Sequence, residues 1–354
     1  MRLLGYPLAE LEALLRGWGE PAYRARQLFE WLHRHNELRF SCMTSLPGPL
    51  RARLEADFGT DRPTVLDHTG DDDARKLLIG LADGERVESV LMGRPWGQAA
   101  CVSSQVGCPV GCVFCASGRD GLARNLAAGE IVGQLSILRA MAGPIRRVVF
   151  MGMGEPLLNL EESLTAARII TDRNGWALPT RNLTFSTIGI VRGIRALAGS
   201  GDRFRLALSL HAADDTLRRE LVPRWSEPLR DVLRAGTEYA EAVGRRLTVA
   251  YVLLGGVNDS TLDARSLAAL VGPARALVNV IPFNPVPGTS FERPTPARVA
   301  KFVACLHEAG IRASARRSVG LASEAACGQL RRRAARCAEA DDRCTDAQTK
   351  EDDR

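Results

Sequence analysis

The densest group of cysteines lies in the segment from residue 101 to residue 115, whose sequence is CVSSQVGCPVGCVFC. Within it, Cys108, Cys112 and Cys115 have the spacing C-x3-C-x2-C. Three thiolates in one short loop can bind three irons of a four-iron, four-sulfur cluster and leave the fourth iron open to a cofactor or substrate. A closed zinc site is the alternative, with Cys101 as a possible fourth ligand, since no histidine lies between His68 and His211. The spacing favours the iron–sulfur cluster but does not exclude the zinc site.

The segments after this loop alternate between strand and helix patterns, and these elements must position it. Helical spacing occurs in ESLTAARIITDR, PLRDVLRAGTEYAEAV and PARVAKFVACLHEAG, and the strand candidates are IRRVVFMG, RNLTFSTIG, FRLALSLH, RLTVAYVLL, ALVNVIPFN and IRASARRS. Six such units predict an α/β fold with a parallel sheet that closes part of a barrel, a partial (β/α)6 barrel. Because such folds place their sites at the carboxyl ends of strands, GMGEP, STIG, SLHA and FNPVPG are expected to converge at one mouth.

The rest of the chain divides by its patterns into smaller parts. Residues 1–74 are predicted to form a helical accessory domain, and residues 75–104 a strand-rich bridge with a tight turn at Ala82-Asp83-Gly84-Glu85. The partial barrel is predicted over residues 105–330. Residues 331–354 are basic, then acidic, and predict a disordered tail.

Composition and charge limit the class of protein. The hydrophobic share of 45% and the charged share of 25% are typical of a globular chain. The net charge is +6, and residues 338–354 hold seven acids and three bases, a net −4, so residues 1–337 carry 6 minus −4, or +10. This balance favours a polyanionic partner such as nucleic acid.

The cysteine count and the N-terminus indicate the compartment. The odd number of nine cysteines does not suit a framework of structural disulfides. The N-terminal segment is interrupted by Glu10, Glu12 and Arg16 and does not match a signal peptide, and no apolar run reaches the roughly 18 residues of a membrane span. We therefore expect a cytoplasmic protein without a membrane partner.

The cysteine spacing followed by strand–helix repeats resembles the radical S-adenosylmethionine (SAM) superfamily. Within it, the chain resembles the RlmN/Cfr family, which methylates adenosine carbons in large-subunit ribosomal RNA. The match spans roughly residues 20 to 330 and rests on segments in the family's order: CVSSQVGCPVGCVFC, GLARNLAAGEIVGQ, VVFMGMGEPLLN, FSTIGIV, ALSLHA, YVLLGGVNDS, IPFNPVPG and AACGQL.

The resemblance implies a [4Fe-4S] cluster on Cys108, Cys112 and Cys115, and S-adenosyl-L-methionine as cofactor, two molecules per turnover. The implied cofactor contacts are Gly154, Glu155, Ser186, Ser209, Leu210, His211 and Asn284. Glycine lets the backbone approach closely, and a carboxylate pairs with the ammonium group of the cofactor. Taken singly, a Ser or Asn at a strand end is more often only a turn residue.

Three further residues acquire roles from the resemblance. Cys327 matches the cysteine that carries the methyl group, although a lone cysteine between alanines is by itself typical of a core. Cys101 matches a second thiol that forms a transient disulfide with Cys327. Glu88 matches a proton acceptor, while its strand pattern alone indicates a solvent-facing or ion-paired carboxylate.

The implied substrate is RNA, in which an adenine is methylated at carbon 2 rather than at carbon 8. The implied RNA is 23S rRNA, with tRNA as a second substrate. Tyr23, Arg24, Arg26 and Trp31 of the accessory helices are candidates to bind it. The implied electron donor is a flavodoxin or ferredoxin. The chain departs from the family at Val319–Ser323, where an acidic residue and an isoleucine are usual, and this leaves open a divergent paralogue that acts on another adenosine or another RNA. A non-catalytic RNA-binding protein with a structural metal cluster, or a radical SAM enzyme with another substrate, are the alternatives.

Overall fold

The computed structural model describes residues 2–59, 64–71, 73–225, 227–272, 276–316 and 328–330. Cys327, the Val319–Ser323 segment and the tail from residue 331 lie outside these ranges. The roles predicted for them therefore rest on the sequence.

The chain begins with three α-helices: α1 (Leu8–Gly17), α2 (Ala22–Phe29) and α3 (Gly48–Phe58). A proline precedes each helix and holds the chain in an extended conformation before the first turn. Leucines spaced four apart, such as Leu11 and Leu15, are fully buried between the helices. The predicted helical accessory segment is therefore present.

A π-helical turn, Glu30–Arg34, continues α2 and buries His33 completely. The imidazole packs 4.4 Å from the Phe29 ring, and neither ring nitrogen has a hydrogen-bond partner among the described residues. Burial, followed by the charge of Arg139, lowers the pKa of His33 to about 3 from its ordinary 6.5. Between pH 6.5 and about pH 3, His33 binds a proton in the unfolded chain but not in the folded protein. The free energy of unfolding therefore decreases as the pH is lowered through this range.

We predict that His33→Phe makes the protein less sensitive to acid. Between about pH 7.5 and about pH 5 the wild type should lose about 2 kcal/mol more of its free energy of unfolding than the variant, because the variant has no imidazole to protonate on unfolding. Denaturant unfolding at both pH values measures this. His35→Phe, at an exposed position, is the control and should behave as the wild type. An unchanged pH dependence in His33→Phe would contradict the prediction.

An antiparallel meander follows the helices and contains β1 (Thr64–Gly70), β2 (Ala74–Gly80), β3 (Arg86–Met92) and β4 (Gln98–Cys101). The predicted turn joins β2 to β3, where the Leu81 amide donates to the Glu85 carbonyl at 2.8 Å and Gly84 has φ +85°. Strand β1 was not indicated by the sequence, because almost all of its residues are exposed and show no alternation. The division of the chain at residues 74, 104 and 330 stays a prediction.

The remaining chain forms strand–helix units. After the short hairpin of β5 (Gln105–Gly107) and β6 (Leu122–Asn125), the elements are α4 (Ala128–Ala142), β7 (Ile145–Phe150), α5 (Leu160–Thr171), β8 (Leu183–Thr187), α6 (Val191–Gly199), β9 (Arg205–Ser209), α7 (Asp215–Leu221), α8 (Leu229–Ala242), β10 (Thr248–Leu253), α9 (Thr261–Val271), β11 (Leu277–Pro282), α10 (Pro296–Glu308) and β12 (Arg312–Ala315). All six predicted strands are present.

The main sheet has ten strands in the order β1-β2-β3-β4-β7-β8-β9-β10-β11-β12. Every pairing from β4 to β12 is parallel. In the described part of the chain β1 and β12 are the two edges, so the sheet is an open, partial barrel, and the predicted α/β fold is confirmed. None of the described helices combines the length and apolar composition required to cross a membrane.

Candidate active site

The three clustered cysteines lie in the loop between β5 and β6, and all three line one cavity at the carboxyl edge of the parallel strands. Glycines shape this loop, since Gly107 and Gly111 have φ of +79° and +67°, which side chains disfavour. The amide of Cys115 donates to the carbonyl of Cys112 at 3.0 Å and closes a tight turn. The loop thus directs three thiols into the same space.

The surroundings of these thiols oppose free thiolates. Burial raises the pKa of Cys108 to about 12, and burial followed by the neighbouring thiols Cys115 and Cys108 raises the pKa of Cys112 well above its usual value. Bound metal reverses this preference, because its positive charge stabilises the thiolate. In the described ranges, no three His, Cys, Asp or Glu side chains converge on the point that a single ion would occupy. In a four-iron cluster each thiolate instead binds its own iron, and three thiols around one cavity fit that arrangement.

Six of the seven predicted cofactor residues line the same cavity. They lie in the last residues of β8 and β9 or just after β7, β9 and β11, at the carboxyl edge: Gly154, Glu155, Ser186, Ser209, His211 and Asn284. Leu210 does not line it and is instead fully buried in the core. The parallel order of these strands brings together segments that are far apart in the sequence.

Glu155 is the most constrained of these residues. Its carboxylate accepts hydrogen bonds from the amides of Leu157 at 3.0 Å and Ile188 at 2.8 Å, while its own amide donates to Gln105 at 2.8 Å. Burial raises the pKa of Glu155 to about 7 in spite of these bonds. A buried carboxylate held in place with too few charges around it suits a cationic ligand, whose ammonium would favour the ionised form.

Gly154, beside it, permits close approach of two backbone segments. Its φ is +100°, and a Cβ atom at this position would lie 2.6 Å from the Cβ atom of Gln105. No larger residue fits here without displacing Gln105, which orients the amide of Glu155. Glycine is therefore required by the geometry as well as by the resemblance.

His211 is held as a neutral imidazole. Its φ is +62°, its Nδ1 accepts a hydrogen bond from the Val252 amide at 3.0 Å, and Asn258 fixes its carbonyl at 2.8 Å. Burial and then the charge of Arg218 lower its pKa well below the usual range. The ring of Phe114 meets it edge-on, with centroids 4.9 Å apart. Phe114 thus packs between the cysteine loop and the strand ends.

Sequence reasoning missed Arg218, on α7, which is 2% exposed. Its guanidinium donates to the carbonyls of Ser209 at 2.7 Å, of Leu210 and of Ile188. These bonds join the loops that follow β8 and β9 beneath the cavity. Nothing in the polar segment DTLRREL distinguishes this arginine from a surface residue, so no sequence signal could have found it.

Glu88 and Cys101 lie on the same sheet face as the cavity residues but do not line the cavity. Cys101 pairs with Val90, two residues from Glu88, so both side chains point to one face because the side-chain period of a strand is two. The register through β7 to β9 puts Ser186 and Ser209 on that face too. The second predicted thiol and the predicted base are therefore neighbours.

Glu88 is 1% exposed, so it is not a solvent-facing residue. Lys76, which is equally buried on β2, lies with its Nζ 3.2 Å from the carboxylate. This lysine was also missed by the sequence analysis. An ammonium at this distance favours the ionised carboxylate, which is the form that accepts a proton.

Comparisons with known proteins agree with this fold. Family models match residues 1–58, as the ribosomal RNA large subunit methyltransferase N-terminal domain, and residues 102–267, as the radical SAM superfamily. The crystal structure of a radical SAM methyltransferase from Sphaerobacter thermophilus superposes with a TM-score of 0.88 at 41% identity, covering 93% of this chain and 98% of that one. The chain is an α/β enzyme of the radical SAM methyltransferase class.

Relatives in sequence narrow the class. A probable dual-specificity RNA methyltransferase RlmN from Symbiobacterium thermophilum is 46% identical over 94% of this chain and 92% of the relative. The dual-specificity RNA methyltransferase RlmN from Halorhodospira halophila is 42% identical, over 93% of both chains. The chain belongs to the RlmN family of radical SAM RNA methyltransferases. This membership implies a [4Fe-4S] cluster and SAM binding, and it disfavours a non-catalytic RNA-binding protein.

Proposed function

We propose that this enzyme methylates carbon 2 of an adenine in RNA, with 23S rRNA as its substrate and tRNA as a second one. The observation that carries the proposal is the cavity in which the three loop thiols meet six polar or glycine residues from four strand ends. The relatives' name, dual-specificity RNA methyltransferase, supports two RNA substrates. An RNA substrate also favours a cytoplasmic location.

The proposed cofactor roles follow the geometry of the cavity. Cys108, Cys112 and Cys115 would hold a [4Fe-4S] cluster, and Glu155 would pair with the ammonium group of SAM beside Gly154. Ser186, Ser209, His211 and Asn284 supply polar groups around the rest of the cofactor, and Leu210 contributes its backbone from the core. When bound, these two groups supply a carbon radical through one electron from a flavodoxin or ferredoxin.

The chain's own residues would then carry the methyl group. Cys327 would accept it from a first SAM and would then give up one hydrogen atom of the methyl group to the radical that a second SAM supplies when bound, so that two are used per turnover. When carbon 2 of the adenine bonds to the activated carbon, that position must lose one proton and one electron. Glu88 would take the proton, and the electron would return to the bound cluster. The thiolate of Cys101 would attack the sulfur of Cys327, so that the S–S bond forms as the S–C bond breaks. The released carbon keeps the electron pair and takes up a proton, such as the one that Glu88 then holds, and the methylated base leaves. A thiol reductant must reduce this disulfide before the next turnover.

The accessory helices would provide an RNA contact. Tyr23 is 55% exposed, and the guanidinium of Arg24 lies 4.8 Å from its ring centroid, an arrangement that can stack on an unpaired base. Trp31 instead donates to Ser45 at 2.8 Å, and Phe29 is fully buried in the core. We therefore place Tyr23 and Arg24, ahead of Trp31, at the RNA.

Mass spectrometry of nucleosides tests the proposal. RNA from cells that lack the gene should lose 2-methyladenosine, and reintroducing the gene should restore it in 23S rRNA and tRNA. 8-Methyladenosine instead would place the reaction at the other carbon. The absence of both nucleosides from rRNA and tRNA would exclude the RNA-adenine assignment.

We predict that Glu155→Gln weakens SAM binding and leaves the cluster intact. A charge-assisted hydrogen bond of about 1.5–3 kcal/mol would be lost, so the Kd should rise roughly 10- to 150-fold. Calorimetric titration of SAM into the anaerobic holoenzyme measures this, and the iron content of the variant should equal that of the wild type. Glu161→Gln, at an exposed position on α5, is the matched control. Equal SAM affinities for the two variants would rule out this role for Glu155.

A further inference from the structure

The amino edge of the sheet, opposite the cavity, carries a group of arginines that the proposed function does not use. Arg147 is the third residue of β7, Arg205 begins β9 and Arg181 lies just before β8. Trp96 lies just before β4 on the same edge. We call these four residues the amino-edge cluster.

The cluster is a compact group rather than a set of separate surface residues. Arg147 is two residues from Val149, and Arg205 pairs with Thr184, the partner of Val149, so both arginines lie on one sheet face. The Nε of Arg205 donates to the carbonyl of Arg181 at 2.6 Å. The guanidinium carbon of Arg147 lies 4.4 Å from the centroid of Trp96. Trp96 is 47% exposed, a large fraction for a tryptophan.

The positive charges of the cluster are not neutralised within the described chain. None of its three guanidinium groups forms an ion pair there, and Asp202, three residues before Arg205 in the sequence, is paired with Arg168 at 2.9 Å. Partial burial, and then repulsion by Arg147 and Arg181, lowers the pKa of Arg205. Arg203, on the same edge, is different because it donates to the Val243 carbonyl at the end of α8.

We propose that the amino-edge cluster binds phosphates of the RNA substrate at a distance from the target adenine, with Trp96 stacking on an unpaired base. The proposal rests on RNA being the substrate. Arginine pairs well with phosphate, and an exposed tryptophan is a common platform for a base in single-stranded RNA. An RNA that extends beyond the enzyme can reach both edges of the sheet.

An acidic electron carrier fits this edge less well. The cysteine loop lies at the carboxyl edge, and the six residues of β7 separate the two edges by about 20 Å. An electron carrier bound at the amino-edge cluster would therefore be far from the irons that it must reduce. An electron carrier is nevertheless an outcome that the experiment distinguishes.

The test compares two double variants of the holoenzyme. The amino-edge variant, Arg147→Gln with Arg181→Gln, lacks two charges of the amino-edge cluster. The control variant, Arg234→Gln with Arg265→Gln, lacks two exposed charges of α8 and α9. Binding is measured by fluorescence anisotropy at several salt concentrations. One RNA is the full methylation substrate, and the other is a hairpin cut down around the target adenosine.

The amino-edge variant should bind the full substrate about tenfold more weakly than the control variant does. The slope of log affinity against log salt concentration should be smaller in magnitude by about 1.5. Trp96→Ala should weaken binding of the same RNA by about tenfold with little change in slope. Both variants should bind and methylate the hairpin as the control does. Equal affinity of the amino-edge variant and the control variant for the full substrate would overturn the proposal.

Two other outcomes are distinct. If reduced flavodoxin reduces the iron–sulfur cluster of the amino-edge variant more slowly, while RNA binding stays normal, the proposal is also overturned. The amino edge would then be assigned to an electron carrier. Failure of the wild type to methylate either RNA would instead refute the proposed function on which this inference rests.

Discussion

Cys112→Ala is expected to yield a colourless protein that binds no four-iron cluster and methylates no RNA. Cys112 is half-buried and lines the cavity with Cys108 and Cys115, so without its thiol only two of the three predicted iron ligands remain. The anaerobically purified wild type should be brown with about four irons per chain. Absorption spectra and iron analysis measure the loss, which should be complete in the variant.

Two cysteines outside the loop provide matched controls. Cys42 and Cys305 are described as free thiols, and the Sγ of Cys305 lies 3.8 Å from the Thr261 carbonyl on the outer helices. Alanine variants of either should keep the colour and the iron. A colourless wild type with stoichiometric zinc would refute the cluster and, with it, the radical reaction.

Cys101→Ala is expected to trap the enzyme on its RNA. Cys101 is buried at the end of β4, on the sheet face that it shares with Glu88. If it is the thiol that releases the product, its loss leaves the methylated carbon joined to Cys327, because no other thiolate attacks that sulfur. Turnover should stop after one event per chain, which is the largest effect expected of any substitution outside the cluster ligands. A denaturing gel of labelled RNA should show a covalent protein–RNA band.

The double variant Cys101→Ala with Cys327→Ala separates this mechanism from simple inactivation. It should keep its cluster and form no covalent band, because the sulfur that would bond to the base is gone. Cys42→Ala should turn over normally without a band. Normal turnover by Cys101→Ala would show that Cys101 does not have the proposed role, and normal turnover by the double variant would exclude the role of Cys327 as well.

Much of the fold was predictable from local patterns. The six parallel strands and the first helices have strong periodicity and clear turn residues, and the structure contains them. Strand β1 was not predictable, because seven mostly exposed residues at a sheet edge carry no alternation. Its place is set by pairing with β2, a tertiary contact with no signal in β1 itself.

The candidate site divides in the same way. The spacing of Cys108, Cys112 and Cys115 requires the three thiols to lie in one loop, and the motifs at strand ends indicate a common edge. Leu210 belongs to a matched motif, but only the structure shows that its side chain is buried in the core, so that its proposed cofactor contact is through the backbone. The roles of the individual residues stay predictions until the variants are measured.

The sequence by itself therefore determined the chemistry-bearing loop, the α/β alternation and the family. These properties depend on residue type and local spacing, which are read directly along the chain. Only the tertiary structure decided that Lys76 lies beside Glu88, that Arg218 joins two strand-end loops, and that three arginines meet at the amino edge. Each of these depends on strand register or helix packing between distant segments, and a charged residue has the same local pattern whether it is buried in such a contact or exposed to water.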